Sequence, residues 1–438
     1  MKRCLPLILA ALFLTVSVFR AFPQAGDRDG YLTVRLAVMG PGDELYFKWG
    51  HVALLIDDSV TGQSNFYDWG IFSFDAERFF VDFAFGRLLY RCGASQSALS
   101  FRSYRNTNRE ITVYTLDLPA QKKEEIRRFA EWNILPENRN YYYHQFKDNC
   151  ATRIRDILDM ATDGQFRAAF GEAPGQYTLR QHVRRHLWAS PFYDWLLNFW
   201  MGQNIDASVT VWQEMFLPQK IGDCVLDFSY TDSRGVERKL VSSVETLNRA
   251  VNRPPVLEAP REQWPRTLAA GAAVLLLLFT FTRIRRKKPA AGRILLGVSE
   301  ALLGLFFGGA GALLFFMAFF TNHDYTYHNI NLIYANPLLL AAVPLGIMMA
   351  RGKSRRKPGA PRKRGFSPEK PLCILWTYVF LGGVFTMIIR LLPWFYQQNQ
   401  ADLALILPVA LTLGIIPLIG RLYKRSGYAP APGKAASG

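Results

Sequence analysis

Residues 148–154 read Asp148-Asn149-Cys150-Ala151-Thr152-Arg153-Ile154, a pattern that predicts a helix with a cysteine on its first turn. Asp and Asn are preferred at helix N-caps, so we expect the helix to begin at Cys150. A thiol at this position lies at the positive end of the helix dipole, where the thiolate form is favoured. Because the thiolate is the nucleophilic form of cysteine, the segment also predicts a reactive side chain.

A second segment, at residues 49–56, supplies the base that such a cysteine requires. It reads Trp49-Gly50-His51-Val52-Ala53-Leu54-Leu55-Ile56, which predicts a histidine at the start of an apolar β-strand. We expect His51 to accept the thiol proton. A third polar group should orient the imidazole, and the candidates are Asp68 and Gln63 on the following strand. We favour Asp68, although the same aspartate also suits a turn ahead of Gly70.

The elements around these two segments indicate an α+β domain. Alternating or short apolar runs predict strands, and charged segments with apolar residues at helical spacing predict helices. The predicted strands are Tyr31–Val38, His51–Ile56, Asn65–Trp69 and Ile111–Leu116, with a late β-ribbon at Val225–Thr246, and the predicted helices are Gln121–Asn133 and Cys150–Met160. Because the histidine precedes the cysteine, the order matches a circularly permuted papain-like thiol enzyme.

The charge of the chain is unevenly distributed. Residues 265–438 contain 21 Lys and Arg but 4 Asp and Glu, and this half therefore carries the whole net charge of +17. The excess lies between long apolar runs, where basic residues set membrane orientation, so we predict no nucleic-acid partner. Residues 1–25 have the layout of a secretory signal peptide, with Lys2 and Arg3 ahead of an apolar stretch. The domain that follows, at residues 30–255, is therefore expected to be exported.

The second half predicts a membrane domain at residues 266–420, joined by a Pro-rich linker at 256–265. Five apolar runs are each close to the roughly 20 residues that cross a bilayer core. They lie at 266–282, 294–320, 332–350, 372–393 and 402–420. Their connecting loops alternate between strongly basic and free of Lys and Arg, which indicates that the exported domain is extracytoplasmic and that the tail at 421–438 is cytoplasmic.

Other polar residues have less certain roles. His182 and His186 lie four apart, but no third ligand is evident, so no metal or cofactor is predicted. Cys92 and Cys224 either form a disulfide or remain free thiols. His144 lies six residues before Cys150, and we expect it to have a structural role. Three further side chains in the membrane half have open roles, namely Glu300, His323 and Arg390.

Several motifs resemble the Lnb family of lipoprotein N-acyltransferases. They are Trp49–Leu54, Tyr67–Gly70, the run from Pro136 to Tyr141 that leads into Asp148–Asp156, Met215–Pro218 and Asn331–Leu338. The most specific of them surrounds Cys150. The resemblance implies a permuted papain-like (NlpC-type) domain with Cys150 as nucleophile and His51 as base, followed by an all-α domain of five transmembrane helices in the bacterial inner membrane.

The activity implied by this resemblance is acyl transfer through a Cys thioester. A membrane lipid would donate the acyl chain, and the N-terminal amine of a lipoprotein would accept it. Two other functions use the same features. One is a membrane-anchored NlpC-type cysteine peptidase or amidase acting on the cell wall, and the other is a non-catalytic membrane assembly factor in which Cys150 is structural.

Overall fold

The computed structural model describes residues 30–73, 77–352 and 366–425 of the chain. The predicted signal peptide at 1–25 and residues 426–438 of the predicted tail lie outside the described residues, as does most of the basic loop before the fourth predicted span. The described chain consists of an α/β N-terminal domain and a helical C-terminal half.

A seven-stranded antiparallel sheet forms the centre of the N-terminal domain, in the order β6-β4-β3-β2-β1-β5-β9. Successive apolar residues of its central strands point to opposite faces of the sheet, and both faces are buried in apolar cores. A two-stranded ribbon, β7 with β8, lies beside it. The strands are β1 Leu32–Met39, β2 His51–Asp58, β3 Gln63–Ile71, β4 Leu89–Gln96, β5 Ile111–Leu116, β6 Asn140–Tyr142, β7 Ser229–Thr231, β8 Glu237–Lys239 and β9 Val241–Asn248.

The described N-terminal residues also form nine α-helices. Helix α4 packs against β2 and β3, and Ile154, Ile157 and Leu158 on its inner face are buried in the main core. The helices are α1 Phe79–Ala84, α2 Ser97–Asn106, α3 Ala120–Asn133, α4 Cys150–Ala161, α5 Gln165–Phe170, α6 Leu179–Leu187, α7 Pro191–Trp200, α8 Val211–Glu214 and α9 Pro218–Asp227.

The four predicted strands and both predicted helices are confirmed within one to two residues at their ends. The predicted ribbon at Val225–Thr246 is partly wrong, because its first residues belong to α9. Pro218 occupies the first turn of that helix, where its missing N–H costs nothing. Ile221 and Val225 are buried four residues apart, a helical rather than a strand spacing. The ribbon begins only at Ser229.

Four apolar helices of the described C-terminal residues are long enough to cross a membrane, and they correspond to the first, second, fourth and fifth predicted spans. They are α10 Trp264–Lys287, α11 Pro289–Phe320, α13 Glu369–Ile389 and a continuous helix from Gln400 to Arg425. That last helix contains α14 Gln400–Ala410, a π-helical turn at Leu411–Ile415 and α15 Ile416–Arg425. This half is therefore an all-helical membrane domain.

The third predicted span is not one long helix. Its residues form 3-10 turns at Ile330–Ile333 and Pro337–Ala341 and then α12, Ala342–Arg351. Asn336 caps the second turn by accepting the N–H of Leu338, and Pro337 follows the cap, so the chain restarts there rather than continuing a helix. The segment packs against the glycine-rich face of α11, where a Cβ on Gly304 would lie 2.5 Å from the Ala342 Cβ.

The two halves of the molecule are joined at the C-terminal end of α7. The last carbonyls of a helix have no partners within the helix. Here the side chains of Asn329 and Asn331 donate to the Phe199 carbonyl at 3.0 and 2.9 Å, and Gln397 donates to the Met201 carbonyl at 3.3 Å. All three amide residues are buried and belong to the membrane half. We use the name amide network for these three residues together with Asn198 and Asp402.

Candidate active site

Cys150 is the first residue of α4, and the residue before it holds the helix start in place. The Asn149 Oδ1 accepts hydrogen bonds from the N–H groups of Ala151 and Thr152, both at 2.9 Å. The Thr152 hydroxyl oxygen in turn accepts the Asn149 N–H at 2.8 Å, which completes a capping box. The cap uses the amides of Ala151 and Thr152 and not that of Cys150, which is the amide beside the thiol. Cys150 itself is partly exposed.

The loop before Cys150 is tied to the membrane half. Asp148 forms a two-bonded ion pair with Arg153, at 2.6 and 2.7 Å. His144, in the same loop, bonds through Nε2 to the Asp324 carboxylate at 2.8 Å, and Lys147 also donates to that carboxylate. Burial raises the pKa of Asp324, but the bonds from His144 and Lys147 outweigh it and bring the pKa to about 2. The predicted structural role of His144 therefore corresponds to a contact between the two halves.

His51 and Asp68 form an ion pair on adjacent strands. His51 begins β2, and its Nε2 donates to the Asp68 Oδ1 at 2.9 Å. The same oxygen accepts the Gly70 N–H at 2.6 Å, so the carboxylate is held by its own strand as well. With Nε2 directed at Asp68, the other ring nitrogen, Nδ1, is the one left for proton transfer. Gln63 lies at the opposite end of β3, where it pairs with Asp58, and it is remote from the imidazole.

The surroundings of His51 favour its protonated form. Burial lowers the pKa of His51, but the negative charge of Asp68 and the proximity of Tyr104 and Cys150 outweigh it and raise the pKa well above its usual value. Burial raises the pKa of Asp68, and the His51 charge and hydrogen bonds more than reverse this, so its pKa is lowered. Helix α4, which begins at Cys150, packs against β2 and β3, the strands that carry His51 and Asp68. A cysteine and a histidine carried by elements that pack together can act as a nucleophile and its acid–base partner.

Two glycines make this geometry possible. Gly50, directly before His51, has a φ of +81°, and a Cβ there would lie 2.8 Å from the Met39 carbonyl oxygen. Gly70 lies directly against the imidazole, and a Cβ there would be 2.6 Å from the His51 Cε1 and 3.1 Å from the Asp68 Oδ1. The Gly50-His51 and Asp68-Trp69-Gly70 motifs therefore place the ring and leave room for it.

Four further side chains near the site were not assigned from the sequence. Tyr104 stacks on the His51 ring at 6.2 Å between centroids, and the buried Arg109 guanidinium lies 4.9 Å from the Tyr104 centroid. Tyr90 and Tyr143 stack on one another at 4.3 Å and pack with Cys150 against the main core. Tyr143 belongs to the tyrosine run at 141–143, which was a usable signal. Tyr104 and Arg109 reach the site only through tertiary packing.

The remaining candidates have other partners. His182 bonds to Glu214 at 2.9 Å, and the His186 ring bonds to the His182 carbonyl at 2.7 Å. Among the described residues no group of His, Cys, Asp and Glu is arranged to hold a metal ion. Cys92 and Cys224 are free thiols, and burial raises the pKa of each to about 12, which leaves them unreactive.

Glu300, His323 and Arg390 had no role assigned from the sequence. Glu300 is buried within α11 and accepts from the Trp376 indole. His323 bonds to the Phe83 carbonyl at 3.1 Å and to Tyr325 at 2.9 Å. Arg390 follows the last residue of α13, at the end of that helix. None of these three side chains belongs to the pair formed by His51 and Asp68.

Comparison with protein families decides the relationship of this chain. The Lnb N-terminal periplasmic domain matches residues 29–185, which contain His51, Asp68 and Cys150, and the Lnb transmembrane domain matches residues 263–357. The chain belongs to the Lnb family. Lnb proteins are membrane proteins with a periplasmic domain in lipoprotein processing, which agrees with the two halves described here. No curated protein and no solved structure matches the chain.

Proposed function

We propose that this Lnb protein is a cysteine-dependent lipoprotein N-acyltransferase. The observation that carries the proposal is the position of Cys150 on the first turn of α4, a helix that packs against the two strands carrying the His51–Asp68 pair. The loop just before the cysteine is bonded to Asp324 of the membrane half. A nucleophile of this kind, held at a membrane domain, suits a reaction whose donor is a lipid.

In the first step the Cys150 thiolate attacks the ester carbonyl of a membrane lipid. A sulfur–carbon bond forms, the carbon–oxygen ester bond breaks, and the protonated His51 gives its proton to the departing alkoxide, which leaves as an alcohol. The Cys150 N–H, which the helix cap does not use, and the positive end of α4 stabilise the oxyanion. The product is a thioester on Cys150.

In the second step the free N-terminal amine of a lipoprotein attacks the thioester. His51 accepts the proton that the amine loses, an amide bond forms, and the Cys150 thiolate is released. Asp68 holds the imidazole so that Nδ1 faces the reacting groups and stabilises its charged form. All groups required for both steps are side chains or amides of this domain, and the mechanism uses no cofactor.

The fold that fits this chemistry is a permuted papain-like (NlpC-type) domain on a five-crossing base in the bacterial inner membrane. The broken segment from Ile330 to Arg351 would supply the fifth crossing. Its C-terminal end carries Arg351 at the start of the basic loop, as the positive-inside pattern requires. This arrangement leaves the domain that carries Cys150 on the periplasmic face.

The test is mass spectrometry of a reporter lipoprotein from cells that lack their own N-acyltransferase. The cells express this protein, its Cys150→Ala variant or the matched control Cys224→Ala, which removes a buried thiol elsewhere in the domain. We expect an amide-linked acyl chain with the parent and the control and none with Cys150→Ala. An unmodified reporter in all three strains, despite normal membrane insertion, would refute the transferase and direct the search to cell-wall peptides. Acylation by Cys150→Ala would leave the cysteine a structural role.

A further inference from the structure

Helix α1 presents an unusual apolar surface next to the membrane half. Its side chains Phe80 and Phe83 are 74% and 51% exposed, and Val81 and Phe85 beside them are also exposed. We call these four residues the α1 patch. A soluble domain seldom leaves so many neighbouring large apolar side chains in water, so the patch indicates a partner.

The position of α1 identifies the environment of this patch. The Phe85 carbonyl accepts the Asn322 N–H at 2.9 Å, and the Phe85 ring lies 5.6 Å from the Phe316 ring. Both partners belong to the periplasmic end of α11 and the loop after it. Helix α11 has 32 residues and is therefore about 48 Å long, more than the roughly 30 Å of a bilayer core. Its exposed Phe319 and Phe320 lie at this end, so α1 lies beside the end of an apolar helix long enough to cross the membrane.

A series of aromatic rings leads from α1 to the candidate nucleophile. Phe79 packs against Phe80 at 5.4 Å and Phe83 at 6.1 Å, and it also stacks on Phe72 at 6.2 Å. Phe72 stacks on Tyr90 at 5.0 Å. Tyr90 stacks in turn on Tyr143, and both tyrosines pack with Cys150 against the main core. A chain of ring contacts therefore runs from α1 to the two tyrosines that pack beside Cys150.

We propose that the α1 patch inserts into the outer leaflet and passes an acyl chain of a phospholipid along this aromatic series to Cys150. This inference rests on the proposed acyl transfer and specifies its donor. The charges beside the patch favour a phospholipid. Arg78 precedes α1, with Asp82 4.0 Å from its guanidinium, and the exposed Arg87 follows it. Cationic side chains beside inserted aromatic residues match the phosphates of a phospholipid, which the diacylglyceryl anchor of a lipoprotein lacks.

The proposal is tested on the first half-reaction alone. The full chain is placed in vesicles of phosphatidylethanolamine and phosphatidylglycerol, without any lipopeptide, and the rate of thioester formation on Cys150 is followed by intact-protein mass. Hydroxylamine, which cleaves thioesters, identifies the bond. The test variant is Phe80→Ser with Phe83→Ser, and the matched control is Trp132→Ser, which removes an exposed aromatic side chain on α3. Reaction with the water-soluble ester p-nitrophenyl acetate reports on the site without a bilayer.

We expect the double variant to form the thioester from vesicles more slowly by about tenfold or more, the factor expected when the burial of one phenylalanine is lost. Trp132→Ser should match the parent, and all three proteins should react equally with p-nitrophenyl acetate. Equal rates for parent and double variant in vesicles would overturn the proposal and leave the transferase intact. The proposal would also be overturned if the double variant lost reaction rate equally with the vesicle lipid and with p-nitrophenyl acetate, or if the thioester formed only when lipopeptide is added. A parent that never forms a thioester would refute the transferase itself.

Discussion

Replacing Gly70 by alanine should disable the site without disturbing the fold. The added Cβ would lie 2.6 Å from the His51 Cε1, so the ring must retreat by about 0.8 Å to reach the 3.4 Å of ordinary contact. The Asp68 Oδ1 would lie 3.1 Å from the same added Cβ, so the imidazole cannot move far in its direction. A misplacement of about 1 Å in a catalytic group costs on the order of 100-fold in rate. We therefore expect acyl transfer by Gly70→Ala to fall by about that factor.

The assay compares acylation of the reporter lipoprotein with alkylation of Cys150 by iodoacetamide and with thermal unfolding in detergent. Overpacking of this kind costs about 1–3 kcal/mol, so the variant should remain folded. Gly309→Ala is the matched control, because a Cβ on Gly309 meets nothing within 4 Å. Gly70→Ala that keeps at least about one third of the parent activity would refute the reasoning, since a base displaced this far cannot act at nearly full rate.

Three other perturbations test separate parts of the site. Asp68→Asn should lower the pKa of His51, because the Asp68 charge raises it. The alkaline limb of the pH–activity profile should then move to lower pH, and the rate of acyl transfer should fall by roughly 10- to 100-fold. Asn149→Ala removes the N-cap of α4 and should reduce the free energy of unfolding by about 0.5–2 kcal/mol, measured by denaturant titration in detergent micelles. The pKa of Asp324 in the folded protein is about 2, which is below its pKa in the unfolded chain. Its bond to His144 therefore stabilises the fold at a pH above the unfolded pKa, and this stabilisation is lost as the pH falls towards 2. The unfolding temperature of Asp324→Asn should therefore be lower than that of the parent at pH 7, and the two temperatures should converge in acid.

The places of Cys150 at a helix start and of His51 at a strand start could be predicted because their signals are local. A capping Asn beside Cys150 and a glycine before His51 lie within a few positions of the side chains they place, and apolar alternation was enough for β1, β2, β3 and β5. Strand β4 could not be found this way, because most of its residues are exposed and no apolar face repeats.

The parts that were missed depend on contacts between distant residues. Tyr104 stacks on His51 although 53 positions separate them, and nothing near either residue indicates the pairing. The third predicted span has a suitable apolar composition, but Asn336 and Pro337 restart the chain within it. Composition measures how well a segment suits the bilayer, whereas its conformation depends on these individual side chains.

The amide network has a consequence for which lipoproteins can be modified. Because Asn329, Asn331 and Gln397 bind the end of α7 directly, they hold the N-terminal domain against the membrane half. In the proposed acyltransferase, the thioester on Cys150 would then be held at one height above the bilayer and presented to amines at this height. The amine of an N-terminus anchored by its own lipid would be confined near that height, whereas the amine of a released peptide would reach it only by free diffusion. In an acyltransferase built this way, selectivity for lipoproteins would come from distance as well as from recognition.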